Sequence, residues 1–279
     1  MLYHPFRSEL WKLFGKKRTY IGFAMFLLAQ NAISLGFKFT TATAQIERVL
    51  NQNGYLGETF ITAPTIAVIM MVMIAIFLLP LYSALVGGDF VAKESEDGTL
   101  RMILCRPISR WRLLTVKWLA GCVFSALLVL ALGGLGLLSA RLWFPWGGLF
   151  VFAPEQSIFS VFNTQDGFAR YLLAQVFLIP EAVTIMTLAF MFSCFNIKPA
   201  AATILAMSVV LISFILQHIP YFRDYHNWIL TYHLNIWVYI FEETIPWWRI
   251  GQSLSLLVGF NATFFMIGAT VFHLRDIKS

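Results

Sequence analysis

The stretch KESEDGTLRMILCRPISRWRLLTVK, residues 93–117, carries six basic and three acidic side chains, in a chain of 279 residues of which only 12% are charged. The chain as a whole is 59% hydrophobic and holds 27 Phe. Long runs nearly free of charge lie on both sides of the stretch. A membrane crossing needs ~20 mostly apolar residues, because backbone groups in hydrocarbon must bond within their own helix. Residues 59–88 and 118–140 meet that requirement. The charged stretch therefore reads as a polar link between two spans.

Working outward, six candidate spans emerge: 20–39, 63–90, 118–140, 171–196 (interrupted by Pro180-Glu181), 199–219 and 250–274. The expected fold is an all-α integral membrane protein with a single transmembrane domain over residues 1–279. At 1.5 Å per residue the run 63–90 is about 42 Å long. It exceeds what a bilayer needs, so its lower end is expected to project and carry the charged stretch with it. The first run ends in Asn-Ala-Ile-Ser-Leu-Gly-Phe-Lys, a poor cleavage site, so a removed signal peptide is not expected.

Orientation follows from Lys and Arg in the links. With the N-terminus inside, fourteen of the 20 basic residues fall on the inner side and six on the outer. Both termini are expected inside. The net charge of +6 is then mostly a topology signal. No single soluble face gathers the basic residues, so no nucleic-acid partner is expected; the bilayer itself is. Cys105, Cys122 and Cys194 show no paired spacing and offer neither a disulfide framework nor a metal site.

Residues 1–19 read as an amphipathic helix lying on the membrane surface. Phe6, Leu10, Leu13 and Phe14 recur at helical spacing, with Arg7, Lys12, Lys16 and Lys17 elsewhere. A basic flank that only fixes topology accounts for the charges equally well. Residues 40–62 form a polar outer loop with a turn at Asn51-Gln52-Asn53-Gly54. Residues 141–170, with Phe-Pro-Trp-Gly-Gly and Ala-Pro-Glu, read as a second loop. Residues 220–249 are rich in Trp and Tyr. Their part 228–241 reads either as a short helix or hairpin dipping into the outer interface, or as an aromatic belt.

Inside the charged stretch, residues 93–97 end the second span or form a tight turn. Residues 99–106 read as a short helix with Leu100, Ile103 and Leu104 in one apolar stripe and Arg101 and Arg106 elsewhere. Pro107 stops it, and Ser109 is the expected N-cap of the next helix. Physics leaves two readings of this short helix: a docking element for a soluble partner, or a topology-setting link held by lipid headgroups.

Glu94-x-x-x-Gly98-Thr99-Leu100, then Pro107-Ile108-Ser109-Arg110 and Lys117, resembles the signature of ABC transporter permeases of the second type, six-span membrane subunits of bacterial exporters. Glu9-Leu10-Trp11-Lys12-Leu13 with the following basic run and Thr19-Tyr20 is similar to that family's surface elbow helix. The resemblance implies that residues 93–107 hold a coupling helix seated in a cleft of a separate ABC ATP-binding subunit. Glu94, Gly98, Thr99 and Leu100 match the motif; Arg101 and Arg106 join them on charge and expected exposure. It further implies a homodimer in the bacterial plasma membrane with both termini cytoplasmic, and ATP and Mg held by the partner subunit. The chain itself has no Gly-x-x-x-x-Gly-Lys-Ser/Thr loop and no long inner segment to house a nucleotide domain. It is expected to be no enzyme alone, with no catalytic residues, cofactor or metal of its own.

Glu181, beside Pro180, is an ionisable group within a span and a candidate for the translocation pathway. A partner at a helix kink is the other explanation, with Thr184 and Thr187 placed to share its side. Gln30 and Asn31 are further pathway candidates, although interhelical hydrogen bonding explains them too. His218, His226 and His233 lack any zinc-type spacing. Two other functions stay open: a membrane enzyme or maturation factor acting without a motor subunit, and a passive channel or scaffold.

Overall fold

Apolar helices dominate the structure. The computed structural model describes residues 3–15, 17–105 and 108–275. In chain order the helices are α1 (Tyr3–Phe14), α2 (Lys17–Phe39), α3 (Ala42–Gln52), α4 (Ala63–Ile76), α5 (Leu78–Glu96), α6 (Thr99–Leu104), α7 (Arg110–Trp143), α8 (Thr164–Ser193), α9 (Pro199–His218), α10 (Leu230–Leu234) and α11 (Trp247–Leu274). Strands β1 (Leu149–Ala153) and β2 (Ile158–Phe162) lie between α7 and α8. Five helices are each long and apolar enough to cross a membrane, and a sixth crossing results when α4 and α5 count as one bent span. The chain is a multi-pass membrane protein.

The second span is not the uniform helix that residues 63–90 suggest. It breaks at Phe77 (φ −125°, ψ −60°) and bends by 45°. Pro80 supplies the reason: it has no N–H for the carbonyl of Ile76, and its ring crowds that carbonyl. Pro180, by contrast, stays inside α8 without ending it. The fourth span starts at Thr164 rather than 171, because Asn163 caps it, its Oδ1 accepting from the Asp166 N–H at 2.8 Å.

Residues 141–170 are more ordered than a loop. β1 and β2 form an antiparallel hairpin in register from Leu149↔Phe162 to Ala153↔Ile158. Ser157, at φ 57°, closes the connection. Residues 220–249 fold in pieces rather than as one helix. A 3-10 turn over Pro220–Trp228 has no buried residue, α10 follows, and a second 3-10 turn over Asn235–Phe241 buries Ile236 through Phe241.

α8 is the central pillar, packing on α5, α7, α9 and α11. Its closest neighbour needs Gly87: a Cβ there would stand 2.2 Å from the Met186 carbonyl oxygen. Polar side chains tie the apolar helices together. The Tyr171 hydroxyl donates to the Gly133 carbonyl (2.8 Å), Trp118 Nε1 to Thr187 Oγ1 (2.9 Å) and Asn261 Nδ2 to Thr184 Oγ1 (2.8 Å). The bundle has two unlike ends. One, the basic end, gathers α1, α6, Asn196 and Arg275, whose Nη2 donates to Ser95 Oγ (2.8 Å) and Asn196 Oδ1 (2.5 Å). There Arg110 Nη1 also donates to the carbonyls of Phe272 (3.1 Å), His273 (3.0 Å) and Arg275 (3.0 Å), so a cation covers the negative end of α11. The other, the aromatic end, carries α3, the hairpin and residues 220–241.

Candidate functional site

The basic end is built around the turn from α5 to α6. α5 stops because Gly98 adopts φ +71°, a left-handed geometry that ends helices at little cost only for glycine. The Asp97 N–H reaches the Lys93 carbonyl (2.9 Å) and the Gly98 N–H the Ser95 carbonyl (3.3 Å). Thr99 Oγ1 donates back to the Glu94 carbonyl at 3.3 Å. Leu100 is 1% exposed and belongs to the chain's own core, with Ile103 and Leu104 packed against that core. Met102 points the other way and is 67% exposed. Cys105 is exposed as well. Arg101 lies on α6 with only its backbone described, and Arg106 and Pro107 lie outside the described residues. The next helix starts as its sequence indicates: Ser109 Oγ accepts from the Arg112 N–H at 3.3 Å.

Behind this turn sits a buried ion cluster. Lys117 Nζ, on a side chain 1% exposed, lies 2.7 Å from Glu94 Oε1 and 2.9 Å from Glu9 Oε2. Lys12 Nζ lies 2.7 Å from Glu9 Oε1 and 3.3 Å from Glu94 Oε1. Two carboxylates and two ammonium groups close a neutral square that joins α1, the end of α5 and the start of α7. Burial pushes the Glu9 carboxyl up, but Lys117 and then Lys12 outweigh it, so Glu9 titrates below its ordinary value. Burial likewise opposes the Lys12 charge, and its bond to Glu9 with added attraction from Glu94 raises Lys12 above its ordinary value.

α7 can place a charged lysine here because it is long. Its 34 residues span about 51 Å, well beyond a hydrocarbon core of ~30 Å. Lys117 sits about 10 Å from the start of that helix. A cleft of about 700 Å³ opens beside the cluster between α1, α5 and α6, with Trp11, Asp89 and Lys93 in its lining.

The intramembrane candidates lie apart from this assembly. Glu181 is 4% exposed and its Oε2 has no hydrogen-bond partner. It lies beside the Trp237 indole, its polar neighbour in the bundle. Thr184 Oγ1 donates to the Pro180 carbonyl (2.7 Å) and Thr187 Oγ1 to the Val183 carbonyl (2.8 Å), so neither hydroxyl proton serves Glu181. Gln30 is 1% exposed and donates to the Leu132 carbonyl at 2.8 Å, joining α2 to α7. Asn31 donates within its own helix, to the Leu27 carbonyl at 2.9 Å. Gln30 shares a small cavity with Tyr171 and Gln175 that neither Glu181 nor Asn31 lines.

α6 is tied to Glu94 by the Thr99 hydroxyl, and Glu94 is bonded to α7 and, through Lys12, to α1. Sequence reasoning did not select Glu9, Lys117 or Met102 as site residues. An intramembrane-edge lysine at the head of a span was the available signal for Lys117. Glu9 lies 108 residues away from it, and nothing local marks the pair.

No curated protein matches the chain significantly. The family model described as ABC-2 family transporter protein matches residues 16–224, from the residue before α2 into the segment after α9. That match takes in the bent second span, the α5–α6 turn and the long α7. The chain therefore belongs to the ABC-2 transporter family, as a transmembrane permease component rather than an ATPase.

Proposed function

We propose that the chain is the membrane subunit of an ATP-driven exporter, with α6 as the coupling helix to a separate ATP-binding subunit and α1 as the elbow helix. One observation carries the reading most: α6 is a short surface helix anchored by buried Leu100, presenting Met102 outward, and tied through Glu94 and Lys117 to two neighbouring helices. A helix held so can hand displacement on rather than absorb it. Glu94, Gly98 and Thr99 then build the lever's fulcrum, and Leu100 its root. Met102 joins Arg101 and Arg106 as the contact residues facing the ATPase.

In this mechanism ATP closes two motor subunits, which push α6. The push travels along α5, which packs on α8 through Gly87, and reaches the span that bears Glu181. Two copies of the chain enclose the path, and Glu181 faces the cargo in one state of the cycle. The excess of Lys and Arg at the basic end supports placing it, with both termini, in the cytoplasm of a bacterial cell. ATP and Mg stay on the partner.

The test is reconstitution with the ATP-binding subunit. Met102→Asp, on an exposed position, and Glu94→Gln are expected to weaken co-purification and to uncouple ATPase activity from transport. Unchanged assembly and coupling in both variants would overturn the assignment. Activity of the purified chain with no motor subunit would favour the membrane-enzyme reading instead.

A further inference from the structure

The aromatic end holds a second feature, independent of coupling. Two adjoining recesses, of about 600 and 740 Å³, share Asn227, Tyr232 and Arg249 in their walls. Arg249 stands in the first turn of α11. Its Nη2 donates to the Tyr232 hydroxyl at 2.7 Å, and its guanidinium lies 4.3 Å from the Tyr239 ring centroid and 5.9 Å from that of Tyr232. These contacts hold the group in place while using one of its five N–H donors. No carboxylate lies within ion-pair distance of it among the described residues, and Glu242 attracts it only from farther off. Among the described residues of the recess walls Asp224 is the sole acid, set against Arg223 and Arg249.

Depth decides the ligand. The recesses open where α9 ends and α11 begins, and exposed rings surround them: Trp228 (81%), Trp248 (80%) and Tyr221 (78%). Exposed aromatic rings of this kind sit at the headgroup level of a bilayer. An oriented guanidinium with free donors, over tyrosine faces and among amides and hydroxyls, matches a phosphate oxyanion in a fork geometry. We propose that the recesses around Arg249 bind the phosphate of an anionic lipid headgroup.

The test uses the full chain in detergent with a fluorescent phosphatidylglycerol. Unlabelled phosphatidylglycerol, phosphatidylcholine and inorganic phosphate are the competitors. Phosphatidylglycerol is expected to compete and phosphatidylcholine to be at least about tenfold weaker. Arg249→Gln is expected to weaken binding by about tenfold or more, the scale of a lost charge-assisted hydrogen bond. Arg48→Gln, which removes an equal charge from an exposed site at the same end, is expected to change it less than about twofold. Tyr232→Phe, which frees Arg249 from its tether without removing charge, is expected to weaken binding by an intermediate factor. An unaltered size-exclusion profile shows that each variant folds. Equal effects of Arg249→Gln and Arg48→Gln, or equal competition by the two lipids, would overturn the proposal. Displacement by millimolar inorganic phosphate would overturn the lipid as source and assign the same oxyanion site to a soluble phosphate.

Discussion

Replacing Lys117 with Met removes one corner of the ion square at the basic end. The ammonium it deletes is 1% exposed and bridges Glu9 at 2.9 Å and Glu94 at 2.7 Å. Met fills much of the same space, so packing changes little. What changes is charge: two carboxylates remain in one buried site with Lys12 as their cation, and Lys12 is about half exposed. Breaking a buried pair by removing one partner costs about 3–5 kcal/mol, because the other charge is left uncompensated. The expected result is a fall in apparent melting temperature of about 6–20 °C for the detergent-solubilised chain.

The effect has a pH signature. In the parent chain Glu9 titrates below its ordinary value, so its contribution is present above pH 4.5 and is lost as pH falls through the depressed value. Lys117→Met removes most of that depression. The gap between variant and parent should therefore be widest near neutral pH and shrink below about pH 4.5, as Glu9 protonates. Adding Glu9→Gln and Glu94→Gln to Lys117→Met should restore most of the loss, since no unpaired buried charge then remains. Thermal scans from about pH 3 to 8 on these variants decide the matter. A loss under about 1 kcal/mol, or a gap that is flat with pH, would refute the reasoning.

Three further outcomes follow from particular contacts. Gly87→Val should prevent the close approach of α5 to α8, where even a bare Cβ would meet a backbone oxygen at 2.2 Å. Overpacking of this kind costs about 1–3 kcal/mol or more, readable as a lower yield of monodisperse protein and a lower melting temperature. Arg110→Gln removes the cation that bonds three carbonyls at the end of α11. It should cost about 1.5–3 kcal/mol and speed hydrogen exchange locally in the last turn of that helix. Glu181→Gln should leave stability unchanged or slightly raised, because the amide keeps an oxygen for the neighbouring Trp237 indole and brings no charge to desolvate; a large fall in melting temperature would mean that the Glu181 carboxyl itself holds the bundle together.

Much of the fold was legible because hydrocarbon imposes a length and a composition on every span. The charged stretch 93–117 and the Ser109 cap follow from local chemistry. Three things were not. The break at Phe77 depends on Pro80 inside a run whose hydropathy never falters. The hairpin β1–β2 hides in residues whose Pro and Gly argue for a loop, while Leu149–Ala153 and Ile158–Phe162 pair only once folded together. Leu100 illustrates the limit for the site itself. Its place in an apolar stripe did not say whether the stripe faces a partner, and the bundle turns it inward.

The sequence by itself determined that this chain lives in a membrane, that it holds several runs long and apolar enough to cross, and that a charged link separates two of them. Those depend on runs of neighbouring residues, whose solvation energies add locally. Only the tertiary structure decided that Glu9, Lys12, Glu94 and Lys117 form one neutral square, that Arg249 is held by Tyr232, and that Gln30 joins α2 to α7. Such pairings depend on distances between residues far apart in the chain, and packing alone sets those distances.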